Sequence, residues 1–110
     1  MEYLFGGWKI TRDYAENLTE QTSIIYRFHA KHVYTIMGTP KLVRVKVLLD
    51  GKPLDTATAG KDVRFEKGES IFYVDRERLY DIVNLGSYAD HTIELTPETG
   101  GLDVYTLTFG

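Results

Sequence analysis

From Thr22 to Ala30 the chain alternates, with Ile24, Tyr26 and Phe28 on one side and Ile25, Arg27 and His29 on the other. A period of two is the mark of a half-buried strand. β-Prone residues continue from His32 to Met37 and stop at Gly38-Thr39-Pro40, where proline has no N–H to give a ladder. The Ala30-Lys31 step reads equally as a hairpin tip or as a kink in one long strand. Leu42 to Leu49 is the cleanest element: Val43, Val45, Val47 and Leu49 face one way, Arg44 and Lys46 the other, and Asp50-Gly51 follows. Asp-Gly tolerates positive φ at both positions, so a two-residue hairpin turn is predicted there.

Pro53 to Glu69 is polar and bounded by glycine, which reads as a short edge strand plus loop. Ser70 to Val74 is a short strand. Leu79 to Leu85 fits a strand better than a helical turn, because Gly86 and strand signals surround it. His91 to Leu95 alternates again, and after Pro97 and Gly100-Gly101 the chain runs through Leu102 to Phe109, with Tyr105, Leu107 and Phe109 on one face. Short strands separated by turns, with no helix of about ten residues, predict an all-β antiparallel β-sandwich, jelly-roll-like, in a single domain over residues 1–110. The expected core is Ile24, Tyr26, Phe28, Val43, Val45, Val47, Ile93, Leu95, Tyr105, Leu107 and Phe109.

Composition narrows the chemistry. At 110 residues, 43% hydrophobic and 26% charged, the chain can form one core and lacks the signature of disorder. A net charge of −3, without Lys/Arg runs among aromatics, argues against nucleic acid as a partner. There is no cysteine, which removes thiolate chemistry, disulfides and cysteine-ligated metals together. No apolar run reaches the ~18 residues of a membrane span, and Met1 to Ile10 lacks the pattern of a signal peptide, so no direct membrane insertion by these residues is expected.

Candidate sites are few. His29 and His32 lack a further ligand at metal spacing, and Asp103 alone cannot supply the six or so oxygens a hard cation takes. Neither a metal nor a cofactor is expected. No nucleophile elbow or phosphate-binding glycine loop is present, so no catalytic residue is assigned. The aromatic content, 13% with 8 Tyr, is the one feature with recognitional content. Sugar rings stack on aromatic faces while polar side chains bond the hydroxyls, which makes Trp8, Tyr34 and Tyr88, with Arg27 and Arg44, the candidate ligand-binding residues. Aromatic enrichment also follows from β structure itself, where each of these residues could serve packing alone.

Phe28-His29-Ala30-Lys31-His32-Val33-Tyr34-Thr35-Ile36-Met37-Gly38 resembles the F-x-A-x-x-V-Y-x-x-M-G segment of the thioredoxin-like C-terminal domain of DipZ-type proteins. Leu48-Leu49-Asp50-Gly51-Lys52-Pro53-Leu54 is similar to its L-D-G-x-P hairpin, Arg78-Leu79-Tyr80-Asp81-Ile82-Val83 to its R-L-Y-x-x-V strand, and Tyr105-Thr106-Leu107-Thr108-Phe109-Gly110 to its Y-x-F-T-F-G. Gly6-Gly7-Trp8 falls where that family has G-G-x-W, one residue short. The resemblance implies a sandwich similar to carbohydrate-binding modules, forming the C-terminal piece of a larger thioredoxin-family protein. It further implies a noncatalytic accessory role beside a thioredoxin-like domain or protein partner, on the extracytoplasmic side, with a glycan as the alternative ligand. Any Cys-x-x-Cys chemistry would belong to that separate domain. An apolar docking patch would include Leu4, Phe5 and Leu48.

Overall fold

The computed structural model describes residues 22–110 in full, together with Glu16 and the backbone of three short strands before them. Among the described residues ten strands follow in order: β1 Glu2–Phe5, β2 Trp8–Ile10, β3 Ala15–Asn17, β4 Ser23–Gly38, β5 Val43–Leu49, β6 Lys52–Pro53, β7 Arg64–Glu66, β8 Glu69–Val74, β9 Arg78–Pro97 and β10 Asp103–Phe109. All pairings between these strands are antiparallel.

The frame is the pairing of β4 with β9, from Ile24 opposite Leu95 to Met37 opposite Arg78. At one end β1 extends the sheet from β4, and β5, β8 and β7 extend it from β9. At the other end β10, β3 and β2 are added beside β4. Ser23–Gly38 is therefore one strand, not a hairpin, and the Ala30-Lys31 step is a β-bulge. Both Lys31 and His32 donate their N–H to the Gly110 carbonyl, at 2.9 and 2.8 Å. The extra residue reverses the phase: Ile24, Phe28 and Ala30 are buried before it, and Val33, Thr35 and Met37 after it. A bulge bends its strand. Phe109, paired with Val33, consequently stacks on Tyr26 at 4.6 Å and Phe28 at 5.3 Å from the preceding half of β4. The two halves of the long pair thus close face to face as a jelly-roll-like sandwich, and Phe72 of β8 meets Tyr80 of β9 across it at 5.7 Å.

Most of the expected core is buried, with Val43, Val45, Val47, Ile93 and Leu95 at its centre. Tyr26, Leu107 and Phe109 pack against it half-buried. Tyr105 departs from expectation. The β10 register slips between Val104 and Thr106, so Tyr105 is the extra residue and remains half-buried while Leu102 and Val104 enter the core.

Asp50 and Gly51 both have positive φ, 52° and 81°, as the Asp-Gly turn requires. A second such turn was not legible: Lys67 and Gly68, at 51° and 77°, join β7 to β8 inside the stretch read as loop. β9 likewise runs unbroken through Gly86, whose positive φ accommodates an irregular excursion opposite the β4 bulge.

Candidate functional site

Among the five predicted ligand residues, the structure brings two to one end of one outer face. Arg27 lies on β4 opposite Thr92, and two residues on, His29 lies opposite Asp90. Side chains two apart on a strand share a face, so Arg27, His29, Asp90 and Thr92 project together. Tyr88 emerges from the β9 excursion 65% exposed and stacks against the His29 ring at 6.1 Å. Asp50, delivered by the hairpin turn, completes the group.

The polar network is built from two histidine–carboxylate pairs. His29 Nδ1 lies 2.8 Å from Asp90 Oδ1, and His91 Nδ1 lies 2.5 Å from Asp50 Oδ2. The Thr92 N–H donates to Asp50 Oδ1 at 2.8 Å, and the Asp50 N–H donates to the Thr92 carbonyl at 2.8 Å. The His91 bond, followed by the Thr92 N–H, holds the Asp50 carboxyl below its ordinary value. Arg27, Asp50, Asp90, His91 and Thr92 line a shallow open pocket of about 240 Å³. Arg27 is exposed and forms no hydrogen bond or ion pair among the described residues. Its donors are thus uncommitted in a pocket wall that also carries the Asp50 and Asp90 carboxylates, and Asp90 is bonded by the His29 ring on which Tyr88 stacks. Such a surface can bond a hydroxyl-rich or otherwise polar ligand while stacking on one of its faces.

Arg44 occupies the same outer face but its opposite end, beside Glu98. Thr92 and Glu98 are six strand positions apart, roughly 20 Å along the sheet. There Arg44 is held by three carboxylates: Glu66 at 3.1 Å, Glu69 at 3.3 Å and Glu98 at 2.5 Å. Glu98 foremost, then Glu66 and Glu69, raises its pKa further above the usual arginine range despite partial desolvation. These bonds occupy Arg44 as a structural clasp joining β5, the β7–β8 hairpin and the end of β9. Tyr34 stacks on His32 at 5.8 Å on the outside of the other layer. Val33, Thr35 and Met37 turn inward, which leaves Tyr34 outward, but the layers leave Tyr34 and Arg44 on opposite faces of the sandwich. The Trp8 side chain lies outside the described residues.

His29, Asp50, Asp90, His91 and Thr92 were not assigned to the site from sequence. The Asp50-Gly51 turn has a local signal, but the pairings that set β4 against β9 and β5 against β9, and so bring Asp50 to Thr92, have none. Asp103 is partly buried: burial, then the charges of Glu16 and Glu77, raises its carboxyl pKa. Among the described residues no group of three His, Asp or Glu side chains is arranged to hold a metal ion.

The fold has close structural counterparts. A family two carbohydrate esterase from Clostridium thermocellum, in complex with cellohexaose, superposes with a TM-score of 0.78 at 12% identity over 100% of this chain. A family two carbohydrate esterase from Cellvibrio japonicus superposes at 0.76 and 13% identity over 98% of it. At that identity the likeness is one of fold, and the chain spans only 31% and 30% of those esterases. No curated protein sequence matches the chain. The family model described as thioredoxin like C-terminal domain, by contrast, matches residues 2–110. A match along essentially the whole length establishes membership: the chain belongs to the thioredoxin-like C-terminal domain family.

Proposed function

We propose that this chain is a noncatalytic accessory module of a DipZ-type thiol–disulfide protein, working beside a thioredoxin-like domain on the extracytoplasmic side. The observation that carries the reading is a full-length match to a thioredoxin-linked family by a chain without cysteine. Thiol exchange needs a thiolate, and these residues can form none. What they offer the redox partner is a rigid sandwich with a polar recognition surface. Of the apolar residues expected in a docking patch, Leu48 is half-buried, and the Leu4 and Phe5 side chains lie outside the described residues.

A second reading, a carbohydrate-binding module, is favoured by one specific observation: Tyr88 is exposed and stacks on His29, whose partner Asp90 lines an open pocket with Arg27 and Thr92. One experiment addresses both. The isotope-labelled chain is titrated by NMR, first with the thioredoxin-like domain of its parent protein and then with cellohexaose. Docking should shift a contiguous set of amides and slow the tumbling of the labelled chain; independent tumbling of the two would end the first reading. A sugar should shift Arg27, Tyr88, Asp90 and Thr92 with a dissociation constant near millimolar, since one stacked aromatic contributes only about 1 kcal/mol. A response confined to Tyr34 and Arg44 would exclude this pocket as the sugar site.

A further inference from the structure

The sheet ends on β7, and no strand among the described residues pairs with its outer edge. Its three residues are Arg64, Phe65 and Glu66. Glu66 and Glu69 flank the two-residue Lys67-Gly68 turn, so they form the closing hydrogen-bonded pair of the hairpin. Bonding alternates along an antiparallel ladder, which makes Phe65 opposite Ser70 the non-bonded pair. The Phe65 N–H and C=O therefore point away from β8, toward the open edge. Its side chain is 46% exposed, unusually so for a phenylalanine in a sheet.

We propose that β7 pairs with β7 of a second copy of this chain, antiparallel and centred on Phe65. The choice of a second copy rests on charge complementarity. An antiparallel two-fold about Phe65 sets Arg64 opposite Glu66 and Glu66 opposite Arg64, so the edge matches itself in charge. The two Phe65 residues then exchange both of their free backbone hydrogen bonds, and their rings meet side by side. Arg64 has no hydrogen-bond or ion-pair partner among the described residues, so it is available for the pairing. Glu66 already bonds Arg44 and Tyr73, yet its side chain keeps 40% of its exposure and can accept one more donor. Such an interface is isologous and closes at two copies. It is also small. Three residues a side fall far below the roughly 1,200 Å² typical of a stable complex, so association is weak and concentration-dependent. The interface is independent of the thioredoxin-linked reading and of the Tyr88 pocket.

Sedimentation velocity and NMR relaxation of the chain, from about 50 μM to about 2 mM, test the pairing in the range where so small an interface should act. The expected result is a reversible monomer–dimer equilibrium, with Phe65 amide exchange slowed as concentration rises. Phe65→Pro removes the outward N–H without touching the β7–β8 bonds and should leave a folded monomer throughout. Arg64→Glu sets like charges against each other and should weaken association at least about tenfold, whereas Arg64→Lys should retain it to within a few-fold. If Phe65→Pro does not fold, the two Arg64 variants decide. A wild-type monomer at every concentration, or a dimer unaffected by Arg64→Glu, overturns the proposal.

Discussion

Val45→Asp should abolish cooperative folding of the domain. Val45 is 0% exposed at the centre of β5, paired with Phe72 of β8 on one side and Pro97 of β9 on the other. A carboxylate there has no cationic partner and no route to water, because the neighbouring Val43 and Val47 are equally enclosed. Burying such a group costs several kcal/mol, a large share of the ~5–15 kcal/mol that holds a domain of this size together. Thermal denaturation followed by circular dichroism should show no sharp transition near neutral pH. Partial recovery on acidification would point to the charge, not the shape, as the cause, since a protonated carboxyl is cheaper to bury. A melting temperature equal to wild type would mean that this face of β5 is not the core face.

Tyr80→Ala is the second large effect, and its comparison with Tyr80→Phe separates packing from hydrogen bonding. The ring is fully buried against Phe72, and the Arg78 guanidinium lies 3.9 Å from its centroid. The hydroxyl donates to the Arg76 carbonyl at 2.7 Å and accepts the Asp75 N–H at 3.2 Å, tying the turn between β8 and β9 to the core. Burial raises the phenol's pKa, so the donor is retained across the ordinary pH range. Truncation to alanine removes the ring, leaves a cavity and takes away the aromatic face under Arg78, which keeps its ion pair with Asp62, with an expected loss of about 3–5 kcal/mol. Phenylalanine keeps the ring and loses only the turn contacts, about 1 kcal/mol. Urea denaturation of both variants measures the difference; equal losses would place the stabilisation in the hydroxyl alone.

How far the sequence could be read depends on how local each determinant is. β5 was legible because its valines alternate without interruption and its turn is Asp-Gly. In β4 the alternation before Ala30-Lys31 placed Ile24 and Phe28 in the core, while Val33, Thr35 and Met37 beyond it were not assigned there. The phase after the bulge was not legible, because a bulge stabilised by the Gly110 carbonyl depends on a residue far along the chain. Tyr105 was misplaced for the same reason: a one-residue slip against β4 reverses which side chains point inward. The Lys67-Gly68 turn escaped notice because lysine rarely adopts positive φ, and the preceding Arg-Phe-Glu carries little strand signal. Arg27 and Tyr88 were named individually from chemistry. Their shared surface, and the carboxylates that instead engage Arg44, are set by register between distant strands.

That register also bears on how the chain reaches its folded state. Ile24 meets Leu95 across more than half of the sequence, whereas the β7–β8 hairpin joins residues that are nearly adjacent. The short hairpin can close on the microsecond scale. The β4–β9 pair must first overcome the entropy of a long loop, and topologies dominated by such distant pairings fold in milliseconds to seconds. Until it closes, the apolar alternation of β4 stays exposed and competent to pair with other chains. The same strand that frames the finished sandwich is thus the segment most open to aggregation before it forms, and stopped-flow refolding at increasing protein concentration should show yield falling while the rate of the productive phase stays constant.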